Sequence, residues 1–239
     1  MRRPLRALLL AAGLGTRLRP FTLHTPKCLA PIRGKPLLGH WLSKLEAAGC
    51  EAVLINTHHL ADQVGQFVQS WTHTAMAIET VHEPELLGTA GTLMAHQTFF
   101  GGATGLLIHA DNAMASDLAG LLLAHAQRPS HCLLTMLTFS TTTPSSCGIV
   151  ETDATGVVTA FHEKVVDPPG NKANGALYAF DTEFLEFAKQ MSSLPSDLST
   201  EVIPALMGRI HSWHTTEAYL DIGTPKTLEI AQKLWEANA

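Results

Sequence analysis

Short, wholly apolar runs alternate along the first half of the chain with stretches in which apolar residues recur every three or four positions. That alternation predicts βαβ units and a mostly parallel sheet. The run over 5–10 is long enough for one buried strand. Positions 35–49 read as a helix, with Leu37, Leu38, Trp41, Leu42 and Leu45 on one face, Pro36 in the first turn and Gly49 as its stop. A second strand follows over 52–56, then an amphipathic helix over 59–71 carrying Leu60, Val64, Phe67 and Val68. Strands are expected over 75–81, 106–110 and 132–139, and helices over 89–100 and 117–125.

Beyond Thr141 the pattern shortens. Strands are expected over 148–151, 157–162 and 176–180, separated by turns at 153–156 and 167–170, which suggests an antiparallel part covering one end of the parallel sheet. Helical periodicity returns over 182–190 and 200–207. The last helix is the best marked, with Thr224 as N-cap, Pro225 at its first position, and Leu228, Ala231, Leu234 and Trp235 on one face. The expected fold is α/β and Rossmann-like: a mixed, mostly parallel sheet flanked by helices, with a small antiparallel part. One domain is expected over 1–239, divided into a core (1–140), the antiparallel part (141–222) and a C-terminal helix (223–239). No internal repeat is visible, and no hexapeptide array follows residue 222.

Composition narrows the function classes. At 46% hydrophobic the 239 residues can build a sizeable core, and a net charge of −5 offers no broad basic field for nucleic acid. Arg2, Arg3 and Arg6 before LLLAA imitate a secretion signal, but the apolar run is short and leads directly into glycines, so it reads as a strand. No run approaches the ~20 residues that span a membrane. Cys28, Cys50, Cys132 and Cys147 have no C-x-x-C spacing, which points to reduced thiols and a cytoplasmic location. Thirteen histidines include no H-E-x-x-H, and the adjacent pair His58-His59 must diverge, so a zinc site is not expected.

The cations are local instead. Directly after the first strand come Gly13 and Gly15, then Arg17, Arg19 and Lys27. Glycines let backbone N–H groups approach phosphate oxygens, and the cations neutralise them. A lone G-x-G is a weak signal; the P-loop is excluded because no Lys-[Ser/Thr] follows the second glycine, and Leu18 stands where the dinucleotide fingerprint needs its third glycine. What remains is G-x-G-T-R-L-x-P-x-T followed by Pro26-Lys27. That longer string resembles the signature of the sugar-1-phosphate nucleotidyltransferases, the nucleotide-sugar pyrophosphorylases.

The resemblance runs through the chain with motifs in the family's order. It implies the nucleotide-diphospho-sugar transferase fold and the reaction NTP + sugar 1-phosphate giving NDP-sugar and pyrophosphate. Ala11, Ala12, Gly13, Gly15 and Thr16 would then cradle the nucleotide, Arg17 would hold the β- and γ-phosphates, and Lys27 would bridge the α-phosphate and the incoming phosphate. Glu83, Gly88 and Thr89, in EPELLGTAG, match the base-recognition segment. Asp111, after an Ala110 that replaces the family's usual glycine, and Asp221, in a D-x-G-T string, match its Mg²⁺ ligands. Read without the family, Asp111 is equally a solvated turn aspartate and Asp221 a helix-proximal one. His109, Gly148, Glu163, Lys164, Asn174 and Gly175 fall on the sugar side by resemblance, although most Glu-Lys dipeptides such as Glu163-Lys164 are solvated pairs.

A carboxylate at position 83 accepts hydrogen bonds and donates none. Guanine offers it two adjacent donors, whereas uracil offers one donor between two acceptors. That favours GTP, and the short form resembles bacterial enzymes acting on manno-configured hexose or heptose 1-phosphates in cell-surface polysaccharide synthesis. Uridylyl transfer to N-acetylmuramate or glucose 1-phosphate is one alternative. Cytidylyl transfer to phosphocholine or a phosphonate is another, and a non-catalytic nucleotide-sugar sensor a third. The expected partners are small molecules, with no nucleic acid or membrane, and the chain is a monomer or a homodimer.

Overall fold

In the computed structural model, residues 3–72 and 74–237 are described, with side chains described as far as Leu234. The chain separates into two compact units that interleave in sequence: Leu5–Leu86, Ile108–Asp117 and Glu217–Ala239 form one, and Met1–Pro4, Leu87–Leu107 and Leu118–Thr216 form the other.

The first unit is built on parallel strands. Leu5–Leu10 pairs with Ala52–Thr57, which pairs in turn with Ala77–His82, all in parallel register. Leu5, Ala7, Leu8 and Leu9 are buried, as a near-continuous apolar run requires when a strand is covered on both faces. The first helix spans Leu37–Ala47 and buries Leu37, Leu38, Trp41, Leu42 and Leu45, the face its periodicity indicated. It begins later than the expected residue 35, because Pro31–Ile32 and Lys35–Pro36 close a two-residue hairpin around Arg33 and Gly34. Both turn residues have positive φ (51° and 75°), the conformation of tight hairpin turns, so Pro36 ends a strand instead of occupying the helix's first turn. The second helix is Ala61–Ser70. The C-terminal helix, Pro225–Ala237, starts at the expected proline, and the Thr224 hydroxyl accepts from the N–H of Thr227 at 3.2 Å. Ala231 is fully buried on its inner face; the side chain of Trp235, expected there too, lies outside the described residues.

The second unit carries the antiparallel ladders. Lys172–Phe180 pairs antiparallel with Leu134–Ser140 and with Gly148–Thr152, which pairs antiparallel with Val158–Glu163. Ile210–His214 pairs in parallel with Leu134–Ser140. The expected helix over 200–207 is instead a π-helical turn at Leu198–Val202 followed by one short α-turn, Ile203–Ala205, with Pro204 in its first turn. All four cysteines are free thiols, and among the described residues no helix is long and apolar enough to cross a membrane.

Candidate active site

The glycine loop is held open by two anchors in its own unit. Gly15 adopts φ +61°, and a Cβ there would lie 2.8 Å from Thr22 Cγ2 and 3.2 Å from Lys27 Cβ. The position therefore demands glycine twice over, for backbone conformation and for space. Thr22 is buried and its hydroxyl donates to the Gly15 carbonyl at 2.8 Å. One turn further, Leu18 sinks into an apolar cluster with Ala30, Ile32, Leu37, Ala113, Ile222 and Ala231. Burying Leu18 leaves its neighbour Arg17 largely exposed, while Lys27, at the foot of the loop, is buried.

The same cluster sets the two acids. Asn112–Met114 and Tyr219–Asp221 form a short antiparallel ladder in which Asp221 lies opposite Asn112, and the Ile222 N–H donates to the Asp111 carbonyl at 3.1 Å. Ala113 and Ile222, each near one acid, are plugged into the apolar cluster. The indole N–H of buried Trp41 donates to the Asn112 carbonyl at 2.9 Å, and Lys44 Nζ donates to the carbonyls of Ala115 and Ser116. These contacts bring together two carboxylates that are far apart in the chain.

Both acids then meet one lysine. Lys27 Nζ donates to Asp111 Oδ2 and, at 3.2 Å, to Asp221 Oδ1; Arg17 approaches the other oxygen of Asp221 at 3.4 Å. Burial works against the Lys27 charge, but the carboxylates of Asp111 and Asp221 outweigh it and hold its pKa above the ordinary lysine value. Burial likewise opposes the Asp111 anion, and Lys27, with help from His109, outweighs it and keeps the pKa below the usual carboxylate range. Gly223 completes the corner: a Cβ there would sit 2.9 Å from both Arg17 and Asp221.

This donor set suits a hard divalent cation. The two carboxylates already converge on one cationic nitrogen, and among the described residues no group of three or more His, Cys, Asp or Glu is placed to hold a metal. Two protein oxygens with the rest supplied by water and phosphate is the way Mg²⁺ is commonly bound.

Glu83 follows the last residue of the third parallel strand and is buried. Its N–H donates to the Thr57 carbonyl at 2.8 Å, and its carbonyl faces His58 Nδ1 at 2.7 Å. Its side chain accepts from Asn56 Nδ2 at 3.0 Å, and Asn56 Oδ1 accepts from the Ala11 N–H at 2.7 Å. The backbone donor of Ala11 is thus already engaged. Asn56 is a residue the sequence reading missed. Its signal was available: one amide directly after the apolar run AVLI in the strand Ala52–Thr57. His58 and His59 do diverge, His59 facing the Thr22 carbonyl at 2.8 Å.

The remaining predicted residues belong to the other unit. Gly88 has φ +79° and a Cβ there would meet the Ser196 carbonyl oxygen at 2.3 Å, so the close approach at this glycine is by protein backbone. Thr89 opens the helix Thr89–Ala95, as expected, and its hydroxyl accepts from the Leu198 N–H at 2.8 Å. Gly148 is paired with Glu163, and a Cβ at Gly148 would fall 2.6 Å from Glu163 Oε2. Asn174 stands one residue beyond the Ala173–Ile149 pair, donating to the Tyr178 hydroxyl at 2.7 Å; Gly175 occupies the bulge that follows. Lys164, at φ +50°, reaches back to Glu163 at 2.9 Å. The structure therefore gathers Gly148, Glu163 and Asn174 on neighbouring strands, with Lys164 directly after the second, and separately gathers Arg17, Lys27, His109, Asp111 and Asp221.

The family model described as "Nucleotidyl transferase" matches residues 6–238. A mannose-1-phosphate guanylyltransferase of Mycobacterium tuberculosis is 32% identical over 92% of the chain and 61% of its own length. A UTP–glucose-1-phosphate uridylyltransferase of Synechocystis is 28% identical over 85% of the chain and 55% of its own length. The chain thus spans about 60% of the length of the curated relatives it matches first. Among solved structures, one described as a glucose-1-phosphate thymidylyltransferase from Bacillus anthracis superposes with a TM-score of 0.85 at 22% identity, covering 96% of this chain and 94% of that one. HddC from Yersinia pseudotuberculosis, complexed with GMP-PN, gives 0.77 at 20% identity, covering 96% and 99%. At those identities the two structures establish the fold, that of the nucleotide-diphospho-sugar transferases.

Proposed function

We propose, for a chain that belongs to the nucleotidyl transferase family, that it transfers a nucleotidyl group from an NTP to a sugar 1-phosphate and releases pyrophosphate. The observation that carries this reading is the convergence of Lys27 and Arg17 with Asp111 and Asp221. A phosphate monoester has its second pKa near 6, so at neutral pH the sugar phosphate is already a nucleophile and needs no general base. The protein's task is to position it in line with the α-phosphorus and to neutralise charge. Arg17, exposed at the loop tip, takes the β- and γ-phosphates and the departing pyrophosphate. Lys27, buried and held fully charged by its acids, takes the α-phosphate and the incoming phosphate. A magnesium ion held by Asp111 and Asp221 supplies further charge neutralisation when bound.

On the sugar side Glu163 and Asn174 offer an acceptor and a donor for hydroxyls, and Lys164 the charge for the sugar phosphate. The nucleotide is GTP and the sugar manno-configured. The acceptor-only side chain at Glu83 supports the base, and relatives named mannose-1-phosphate guanylyltransferase support both. The enzyme acts on small molecules and in the cytoplasm. The test is product identification by mass spectrometry, with Mg²⁺ and each of four nucleotides against mannose, glucose, heptose and N-acetylmuramate 1-phosphates. GDP-mannose or a GDP-heptose as the main product supports the assignment; a UDP-sugar as the main product moves the base to uracil, and no NDP-sugar from any pair defeats the reaction itself.

A further inference from the structure

We infer that Tyr178 is a positioning residue of the sugar side: its hydroxyl fixes the Asn174 amide so that Asn174 and Glu163 grip one ligand hydroxyl as donor and acceptor. The inference deepens the proposed reaction and rests on it. Glu163 is paired with Gly148, and the antiparallel register that pairs Ile149 with Ala173 places Asn174 across from Gly148 on its other side. Residues directly opposite each other in an antiparallel ladder share a face. Glu163, Gly148 and Asn174 therefore form one row across neighbouring strands, with no side chain in its middle. A Cβ at Gly148 would fall 2.6 Å from Glu163 Oε2, so the carboxylate already leans over the glycine toward Asn174. Both Glu163 and Asn174 are half-buried, within reach of a ligand.

The polarity of the amide follows from its partners. The Ala176 N–H, 2.9 Å away, can only donate, so it meets Asn174 Oδ1. That turns Nδ2 to the Tyr178 hydroxyl, 2.7 Å away, which must accept. Burial pushes the Tyr178 pKa up, and although the Asn174 bond draws it down, the phenol stays neutral. Both bonds cross a bulge in which Gly175, Ala176 and Leu177 lie opposite Leu137 alone, and Ala176 holds φ +51°. An amide tied at both ends there has no freedom to flip. Asn174 retains one amide hydrogen, and Glu163, with Oε1 taken by Lys164 at 2.9 Å, retains Oε2. Neither has a further hydrogen-bond partner among the described residues. A hydroxyl accepts one bond and donates another, the complement of an amide N–H beside a carboxylate oxygen. Tyr178 thus acts on the sugar through Asn174.

Tyr178→Phe removes only the acceptor of the amide bond. The measurement is steady-state kinetics with mannose 1-phosphate, or whichever sugar 1-phosphate the chain turns over best, and with each of its monodeoxy analogues. In the unaltered chain the analogue lacking the gripped hydroxyl should raise the sugar KM about tenfold. In Tyr178→Phe that penalty should shrink to about twofold, because the parent sugar has lost the same grip. The penalties of the other analogues and the KM for the nucleotide should stay as they were. Asn174→Ala should erase the same penalty and no other, which serves if Tyr178→Phe folds poorly. Loosened packing alone would shift every analogue alike. Penalties in both variants that match the unaltered chain throughout, or that change equally for all analogues, overturn the role of Tyr178 while the reaction stands. Absence of any NDP-sugar from the unaltered chain overturns the reaction beneath it as well.

Discussion

Lys27 Nζ stands 3.2 Å from Asp221 Oδ1 while also donating to Asp111, so one ammonium group occupies the point on which both acids converge. Under the proposed reading, a divalent cation on these carboxylates would compete with Lys27 for the same oxygens. Binding of nucleotide and metal would then be an exchange of partners, with phosphates drawing Lys27 and Arg17 off the acids that would hold the metal.

That exchange predicts opposite effects of Lys27→Ala on two measurements. Turnover should fall on the order of a hundredfold or more, because a charge aimed at the reacting phosphates is gone. Affinity for Mn²⁺ measured without nucleotide, by electron paramagnetic resonance of the free ion, should rise, because the competing ammonium has been removed. Weaker Mn²⁺ binding in the variant would show that Lys27 assists the metal instead of competing with it.

Trp41→Phe should disturb the site from a distance. The variant keeps most of the buried ring but loses the 2.9 Å bond from the indole to the Asn112 carbonyl, beside Asp111. The lost bond should cost about 1 kcal/mol or somewhat more in urea-unfolding free energy. Turnover should drop more than KM rises, since the acid and not a binding contact is displaced. Unchanged kcat in a destabilised protein would mean that the short ladder holds Asp111 without the indole.

Gly15→Ala forces a side chain into φ +61° and to within 2.8 Å of Thr22 Cγ2. The left-handed conformation alone costs about 1–2 kcal/mol, and relief requires the loop to move Thr22 or Lys27. Nucleotide affinity measured by isothermal titration should fall at least tenfold, while circular dichroism retains the native spectrum. Wild-type affinity would place the nucleotide away from this loop.

In the other unit, Asp181 gives a stability prediction with a defined pH window. Its carboxylate lies 2.8 Å from Arg128, 2.8 Å from Thr104 Oγ1, 3.1 Å from Arg3 and 3.5 Å from His125. Burial opposes the anion, but these neighbours outweigh it and hold the pKa well below the carboxylate range; burial also pushes His125 below its ordinary value. Both folded values lie beneath the unfolded ones of about 3.9 and 6.5. Each contribution is therefore complete above the unfolded pKa and is lost as pH falls through the folded one. Stability should decline below about pH 6.5 as His125 must protonate, and again below about pH 4. Asp181→Ala should cost on the order of 3 kcal/mol at pH 7 by leaving arginines unpaired, with a smaller difference from the unaltered protein at strongly acid pH. A constant difference across that range in urea titrations would contradict the ion network.

Much of this was legible in the sequence because local pattern and local chemistry coincided. The first strand running into Gly13 and Gly15, the Thr224–Pro225 helix start, and the two strands on either side of the turn at 153–156 all lie where periodicity and turn residues placed them. The hairpin at Pro31–Pro36 and the ladder joining Asn112–Met114 to Tyr219–Asp221 were not legible. Strands of two or three residues have no period to detect, and this ladder is braced by Trp41 and the Leu18 cluster, which lie far from it in the chain. Asn56 escaped notice for a related reason. Its side-chain hydrogen bonds to Ala11 and Glu83 join residues that adjoin it only once three parallel strands are assembled.

The most direct measurement of the central claim is pyrophosphate release by the purified chain with Mg²⁺, GTP and mannose 1-phosphate, beside Arg17→Ala, Asp111→Asn and Asp221→Asn. The four residues acting as one site predict turnover by the unaltered chain and a fall of at least a hundredfold in each variant, with cooperative unfolding preserved. Release from Asp111→Asn or Asp221→Asn at close to the unaltered rate would contradict it.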